Sequence, residues 1–163
     1  VAVAVFVVRL VIGGLLLLAG ALKAHDGPAA TAATIAGYRI LPPLLVAPLG
    51  VALPYLEILL GAYLLAGLFT RAVAYAVAAQ FLIFAVAVAS LVVRQIPANC
   101  GCFGSGVNTP PSWGHVCVDV ALALLTFAAG WFGPGVLAVD RWIGVAKGGG
   151  RESEIEGATH ESQ

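Results

Sequence analysis

Four apolar stretches fix the solvent of this chain before anything else about it can be decided. Residues 1–22, 45–69, 72–93 and 113–132 are each about 20 to 25 residues long and almost uncharged. A helix rises about 1.5 Å per residue, so some 20 residues cross a hydrocarbon core of about 30 Å. Composition agrees: 61% of the 163 residues are hydrophobic and 10% are charged, with a mean hydropathy of +1.01. An average soluble domain carries about 25% charged residues, so lipid is the solvent here. Backbone in lipid must satisfy its own hydrogen bonds, and four such runs do so as helices. The expected fold is all-α, an integral membrane bundle of four transmembrane helices spanning residues 1–145. Its last part, residues 136–145 with Asp140, Arg141 and Trp142, suits an interfacial segment. Residues 146–163 turn glycine-rich, acidic and polar, which predicts a disordered tail. The formal net charge is zero, and nothing electrostatic argues for a nucleic-acid partner.

The chain contains no Met, so Val1 is not read as the translated start. A cleaved signal peptide is the rival reading of residues 1–22, with small residues at 19–24 as a cleavage region. Arg9, in the middle of that run, favours a membrane helix, because a signal core is normally uncharged. Between the first two spans, the Ala- and Thr-rich residues 29–38 predict a short surface helix that ends before Pro42-Pro43. The Thr70-Arg71 connection is short, which predicts that the second and third spans pack side by side and antiparallel. Ser112 reads as the N-cap of the fourth span. Arg71, Arg141, Lys147 and Arg151 fall on the side of the termini, against Lys23, Arg39 and Arg94 on the other. That balance places the termini in the cytoplasm and the loop before the fourth span outside.

Ionisable groups inside a span are costly and usually face a partner or a cavity. Counted from the span ends, Arg9 and Glu57 lie at similar depth on antiparallel helices, so they are expected to pair as a structural ion pair. A relay or ligand-binding role is the alternative. Asp119, about two turns into the fourth span, is expected below the preceding loop, with Lys23 or an incoming polar group as its partner. His115 and Trp113 stand at the mouth of that helix, Trp113 as an interface anchor.

That loop carries Asn99-Cys100-Gly101-Cys102-Phe103-Gly104, with two of the three cysteines. A thiolate is the attacking species in disulfide exchange. The loop supplies access, and the partial positive charge at the start of the next helix favours a thiolate. Gly101 and Gly104 would permit the tight turn of a bridge between Cys100 and Cys102, and so small a ring is strained and labile. The expected roles are a redox pair or a static bridge. Cys117, one turn inside the fourth span, is expected to be a buried small hydrophobe, with a resolving thiol as the alternative. Cys100, Cys102, His115 and Cys117 are together a conceivable metal set, although C-x-C and H-x-C are not the spacings of common zinc modules.

These residues also carry a family resemblance. Arg9 with Gly13-Gly14, Ala19-Gly20 with Lys23, Tyr38 and Leu41-Pro42, and Pro54 with Glu57 and Gly61 fit the pattern. So does the run Cys100-Gly101-Cys102-Phe103-Gly104 ahead of Trp113 and Asp119, which is its most specific part. On these features the chain resembles the MauE branch of the DoxX-like four-helix membrane proteins, from about Arg9 to Phe132. It departs at Val118, where an arginine is common before the acidic residue. The resemblance implies a role in methylamine utilisation: disulfide maturation of an extracytoplasmic protein beside a thioredoxin-like partner. It also implies possible coupling to a quinone, for which Glu57, Asp119 and His115 are candidate contacts. The alternative is a non-catalytic subunit that anchors or stabilises a larger respiratory or redox complex. Few intramembrane polar groups and no internal repeat argue against a transporter.

Overall fold

The computed structural model describes residues 2–98, 100–101 and 110–132, so Asn99, Cys102, the interfacial segment and the tail lie outside the described residues. Five helices, and no strand among the described residues, follow in order: α1 Ala2–Asp26, α2 Pro28–Gly37, α3 Pro43–Ala66, α4 Thr70–Val93 and α5 Trp113–Phe132. All but α2 are long and apolar enough to cross a membrane. The protein is a helical membrane bundle.

Local chemistry sets the helix ends. α1 runs about a turn past the expected limit because Lys23 and His25 fall in its last turn, where basic groups meet the negative end of the helix dipole. Gly27, at φ 89°, then breaks the helix, and Pro28 starts α2 at a position that needs no N–H. Pro43 opens α3 in the same way. Gly67, in the left-handed conformation, closes α3 by donating its N–H to the Tyr63 carbonyl. Ser112 stands at the start of α5, the expected N-cap position. Its hydroxyl lies 2.8 Å from His115 Nδ1, while the Ser112 carbonyl accepts the His115 N–H at 3.1 Å.

The bundle consists of two intimate pairs, α1 with α3 and α4 with α5, whereas α3 and α4 touch only sparingly. The short connection predicted α3 and α4 as close neighbours, and the structure corrects this. Helices in lipid approach most closely where small residues meet, since apolar burial offers little extra gain there. A Cβ at Gly20 would stand 2.7 Å from the Pro54 carbonyl, and one at Gly61 2.8 Å from the Gly13 carbonyl. α1 and α3 are therefore in near backbone contact along two turns of each. On α5, Gly130 leaves room for side chains of α4, since a Cβ there would stand 3.1 Å from the Ala74 methyl. The shared core of the two pairs is Ile12, Leu16, Leu64, Val73, Ala74, Val77, Phe81 and Ala123. α2 packs across α3, with Gly50 against the Pro28 carbonyl and Ala32. With α2 across the top, α3 and α4 part toward the loop end.

Candidate functional site

Two ionic sites occupy opposite ends of the bundle. At the end where α3 stops, Arg9 is 1% exposed and donates from Nε to the Leu64 carbonyl at 2.9 Å and from Nη2 to the Leu65 carbonyl at 3.1 Å. Those carbonyls belong to the last turn of α3, where the helix offers no amide of its own. Arg9 thus closes a helix end that lipid cannot solvate. The expected Arg9–Glu57 pair is corrected by this geometry. The glycine contacts set α1 about one turn away from the register that counting from the span ends gave, and Arg9 meets the C-terminus of α3 instead of its middle.

Glu57 pairs with Lys23. The Lys23 ammonium is 2.5 Å from Glu57 Oε1, with both side chains almost fully buried. Gln80 of α4 approaches the same oxygen through Nε2 at 3.5 Å. The cluster therefore ties α1, α3 and α4 together, the last two at one of their few meeting points. Glu57 Oε2 and Gln80 Oε1 are buried with no hydrogen-bond partner among the described residues. Lys23 also stands 5.4 Å from the centre of the Phe84 ring. Sequence reasoning missed the Lys23–Glu57 pair because Lys23 was counted as a loop residue. The signal available was a long side chain that can reach inward from a helix end.

Asp119 is buried, as its place below the loop suggested, and its Oδ2 has no hydrogen-bond partner among the described residues. His115 is only partly buried and engages Ser112.

Cys100 is 6% exposed at the loop end of the bundle. The Tyr38 hydroxyl donates to its carbonyl. Gly101 follows at φ 65°, where a Cβ would fall 2.5 Å from Thr34 Cγ2 of α2. Glycine is required there on both counts. Arg94, at the end of α4, donates to the Tyr38 and Arg39 carbonyls at 3.1 and 3.3 Å. These contacts bind the α2 end, the α4 end and the cysteine into one unit. Cys102, the expected redox partner, lies outside the described residues. Cys117 departs from expectation: it is exposed on the outer side of α5, not buried beneath the loop. Two positions at about 100° each turn it away from the face that carries Asp119. Cys102 of the conceivable metal set lies outside the described residues, and among the described residues no group of three His, Cys, Asp or Glu side chains converges.

Where α3 and α4 part, a cavity of about 500 Å³ lies under α2. Ile35, Leu53, Phe84 and Val88 supply apolar wall, and Lys23 and Cys100 reach it as well. Glu57, Asp119 and His115 do not line it. A second, open groove at the loop end runs between Gly37 of α2 and Pro97, Pro110 and Pro111.

The architecture has known relatives in sequence. A protein described as methylamine utilization protein MauE, from Paracoccus denitrificans, is 33% identical over 95 residues, which are 58% of this chain and 51% of that protein. The chain thus spans about half the length of that curated relative. No solved structure matches it. The model of the family described as methylamine utilisation protein MauE matches residues 1–132, which include the four spans, the cysteine loop and both ionic sites, and the chain belongs to that family.

Proposed function

We propose that this protein exchanges thiol and disulfide with an extracytoplasmic partner through Cys100 and Cys102. The single observation that carries the reading is the way Cys100 is held. Its backbone is fixed at the loop end of the bundle by the Tyr38 hydroxyl and by Gly101. These contacts fix, through the backbone, where the cysteine stands. In exchange, the attacking thiolate displaces one sulfur of a disulfide and forms a mixed disulfide, and the second thiol resolves it. The partner is a thioredoxin-like or other disulfide-bearing protein of methylamine utilisation. The cysteine loop faces outward and the termini face the cytoplasm. Electrons released by dithiol oxidation pass to an acceptor in the membrane, with a quinone as the candidate.

The second reading is a non-catalytic subunit that anchors a larger complex. What favours it is the rigidity of the α1–α3 pair, where glycine contacts and the Lys23–Glu57 pair serve packing.

Trapping separates the two. Cys102→Ser and Cys100→Ser variants are expressed in cells that grow on methylamine, and covalent adducts are resolved on non-reducing gels. At least one variant is expected to hold a partner in a mixed disulfide that reductant releases. Full methylamine growth with both variants, and no adduct with either, leaves the anchoring role.

A further inference from the structure

We infer that the bundle binds an anionic glycerophospholipid, with its headgroup phosphate on Arg39 and Arg94 and one acyl chain in the cavity under α2. The inference goes beyond thiol–disulfide exchange and needs no cysteine. At about 500 Å³ the cavity falls in the range of small-molecule sites. Ile40 and Leu41, just after α2, line it together with Ile83 and Val86 of α4, and all four are exposed. Its mouth therefore faces lipid and opens beside Arg39. An occupant arrives by way of the membrane and is predominantly apolar.

The polar end of the occupant follows from the two arginines. Arg94 Nη1 donates to the Tyr38 and Arg39 carbonyls, which sets its guanidinium against the backbone that carries Arg39. Both residues are exposed, and neither forms an ion pair among the described residues. A guanidinium has five N–H groups. Because Nη1 supplies both carbonyl bonds, the Nε–Nη2 edge of Arg94 is the fork that suits a phosphate. Lys23, in the cavity wall, is balanced by Glu57 at 2.5 Å and calls for no second anion. The negative charge of an occupant is thus drawn to the rim. Basic groups at the end of a gap between membrane helices suit anionic headgroups.

Depth along α4 fits the same molecule. Ala87 and Ile83, both in the cavity wall, stand seven and eleven residues before Arg94. At 1.5 Å and 100° per residue they lie roughly 10 and 16 Å below it, within about 20° around the helix. The headgroup layer is about 5–8 Å deep on each side of the hydrocarbon. With Arg94 in that layer, Ala87 and Ile83 stand at the depth of acyl chain, and one lipid reaches from the fork to the cavity. A free phosphate would leave the cavity unused. A neutral lipid would leave both arginines without an anion.

The test uses the full chain in phosphatidylcholine nanodiscs, with a trace of phosphatidylglycerol that carries a diazirine on one acyl chain. Photolabelling is expected on α3 and α4 peptides that contain Leu53 or Phe84. Unlabelled phosphatidylglycerol should compete roughly tenfold better than added phosphatidylcholine, the scale of a hydrogen bond between charged groups. Inorganic phosphate should not compete. Arg39→Gln and Arg94→Gln should each shrink the preference several-fold, and together they should abolish it while the cavity still takes up chain. Leu53→Trp and Ala87→Trp, which fill the cavity, should each lower labelling itself. A melting temperature near the parent's, measured in phosphatidylcholine alone, shows that a variant is folded. Labelling spread evenly over the exposed faces, Leu124 and Phe127 of α5 included, marks ordinary surrounding lipid and overturns the site. Equal competition by phosphatidylcholine, or a preference that survives the double arginine variant, overturns the headgroup assignment. Competition by inorganic phosphate gives the arginines to a free anion and overturns the lipid. Cys100→Ala should be labelled as the parent is, so this site and the exchange reading stand or fall separately.

Discussion

Lys23 and Glu57 form an ion pair across the α1–α3 contact at 2.5 Å, and neither side chain has water to fall back on. The α1 and α3 backbones meet one turn away, at Gly20 and Pro54. The pair is therefore clamped between helices that have no room to separate, which makes its two halves unequal to each other only in what they leave behind.

Removing one partner strands the other. Lys23→Met leaves the Glu57 carboxylate buried with Gln80 as its remaining described donor, at a cost of roughly 3–5 kcal/mol. Lys23→Met combined with Glu57→Leu should recover most of that loss, since an apolar replacement of a buried pair is often neutral. Thermal unfolding in a single detergent checks both, and the pair is not clamped as described if the double variant melts below the single one.

Arg9 answers to a different accounting. Arg9→Leu leaves the Leu64 and Leu65 carbonyls without these donors, and a buried unsatisfied acceptor costs about 1–3 kcal/mol. The loosening should be local. Hydrogen exchange at Gly67 and Leu68, which bond to Tyr63, should accelerate well beyond exchange in α4. Uniform acceleration across the bundle would show that Arg9 supports something larger than the end of α3.

The glycine contacts predict a steric series. Gly20→Ala places a methyl 2.7 Å from the Pro54 carbonyl, which is backbone and cannot step aside cheaply. A loss of about 1–3 kcal/mol is expected. Gly14→Ala, where nothing lies within 4 Å, should change stability little. Equal effects at the two sites, measured by the same melting assay, would contradict the α1–α3 register.

The hold on Cys100 can be loosened without touching sulfur. Gly101→Ala forces a side chain into a left-handed conformation, at about 1–2 kcal/mol, and against Thr34. Tyr38→Phe removes the hydrogen bond to the Cys100 carbonyl. In a Cys102→Ser, Cys117→Ser background, each change should raise the rate of Cys100 alkylation by a small maleimide several-fold. Unchanged rates would mean that the thiol is shielded by something other than this backbone arrangement.

The four spans were legible because long uncharged runs in a charge-poor chain admit one solution in lipid. Helix register was not, since it depends on which glycines meet. Gly13, Gly20 and Gly61 are visible in the sequence, but their pairing is a property of two surfaces. That is why Arg9 and Glu57 looked level and are not. Glu57, Asp119 and Cys100 could be singled out, as buried charge and a glycine-flanked thiol are unusual in such a chain. Lys23 was misplaced because α1 continues past the apolar run that defined it. The exposure of Cys117 was open to a simple helical-wheel argument from Asp119. The parting of α3 from α4 had no signal at all, since a short turn joins them and only the stronger attraction of each to another partner draws them apart.

That parting has a consequence for the molecule in its native surroundings. A gap that opens sideways into a bilayer is never vacuum, because neighbouring hydrocarbon chains move in whenever nothing better fits. The bundle thus carries a compartment whose contents are drawn from the membrane around it. Two preparations of identical chain, extracted from membranes of different lipid make-up, will differ in what they contain and therefore in how firmly α3 and α4 are held.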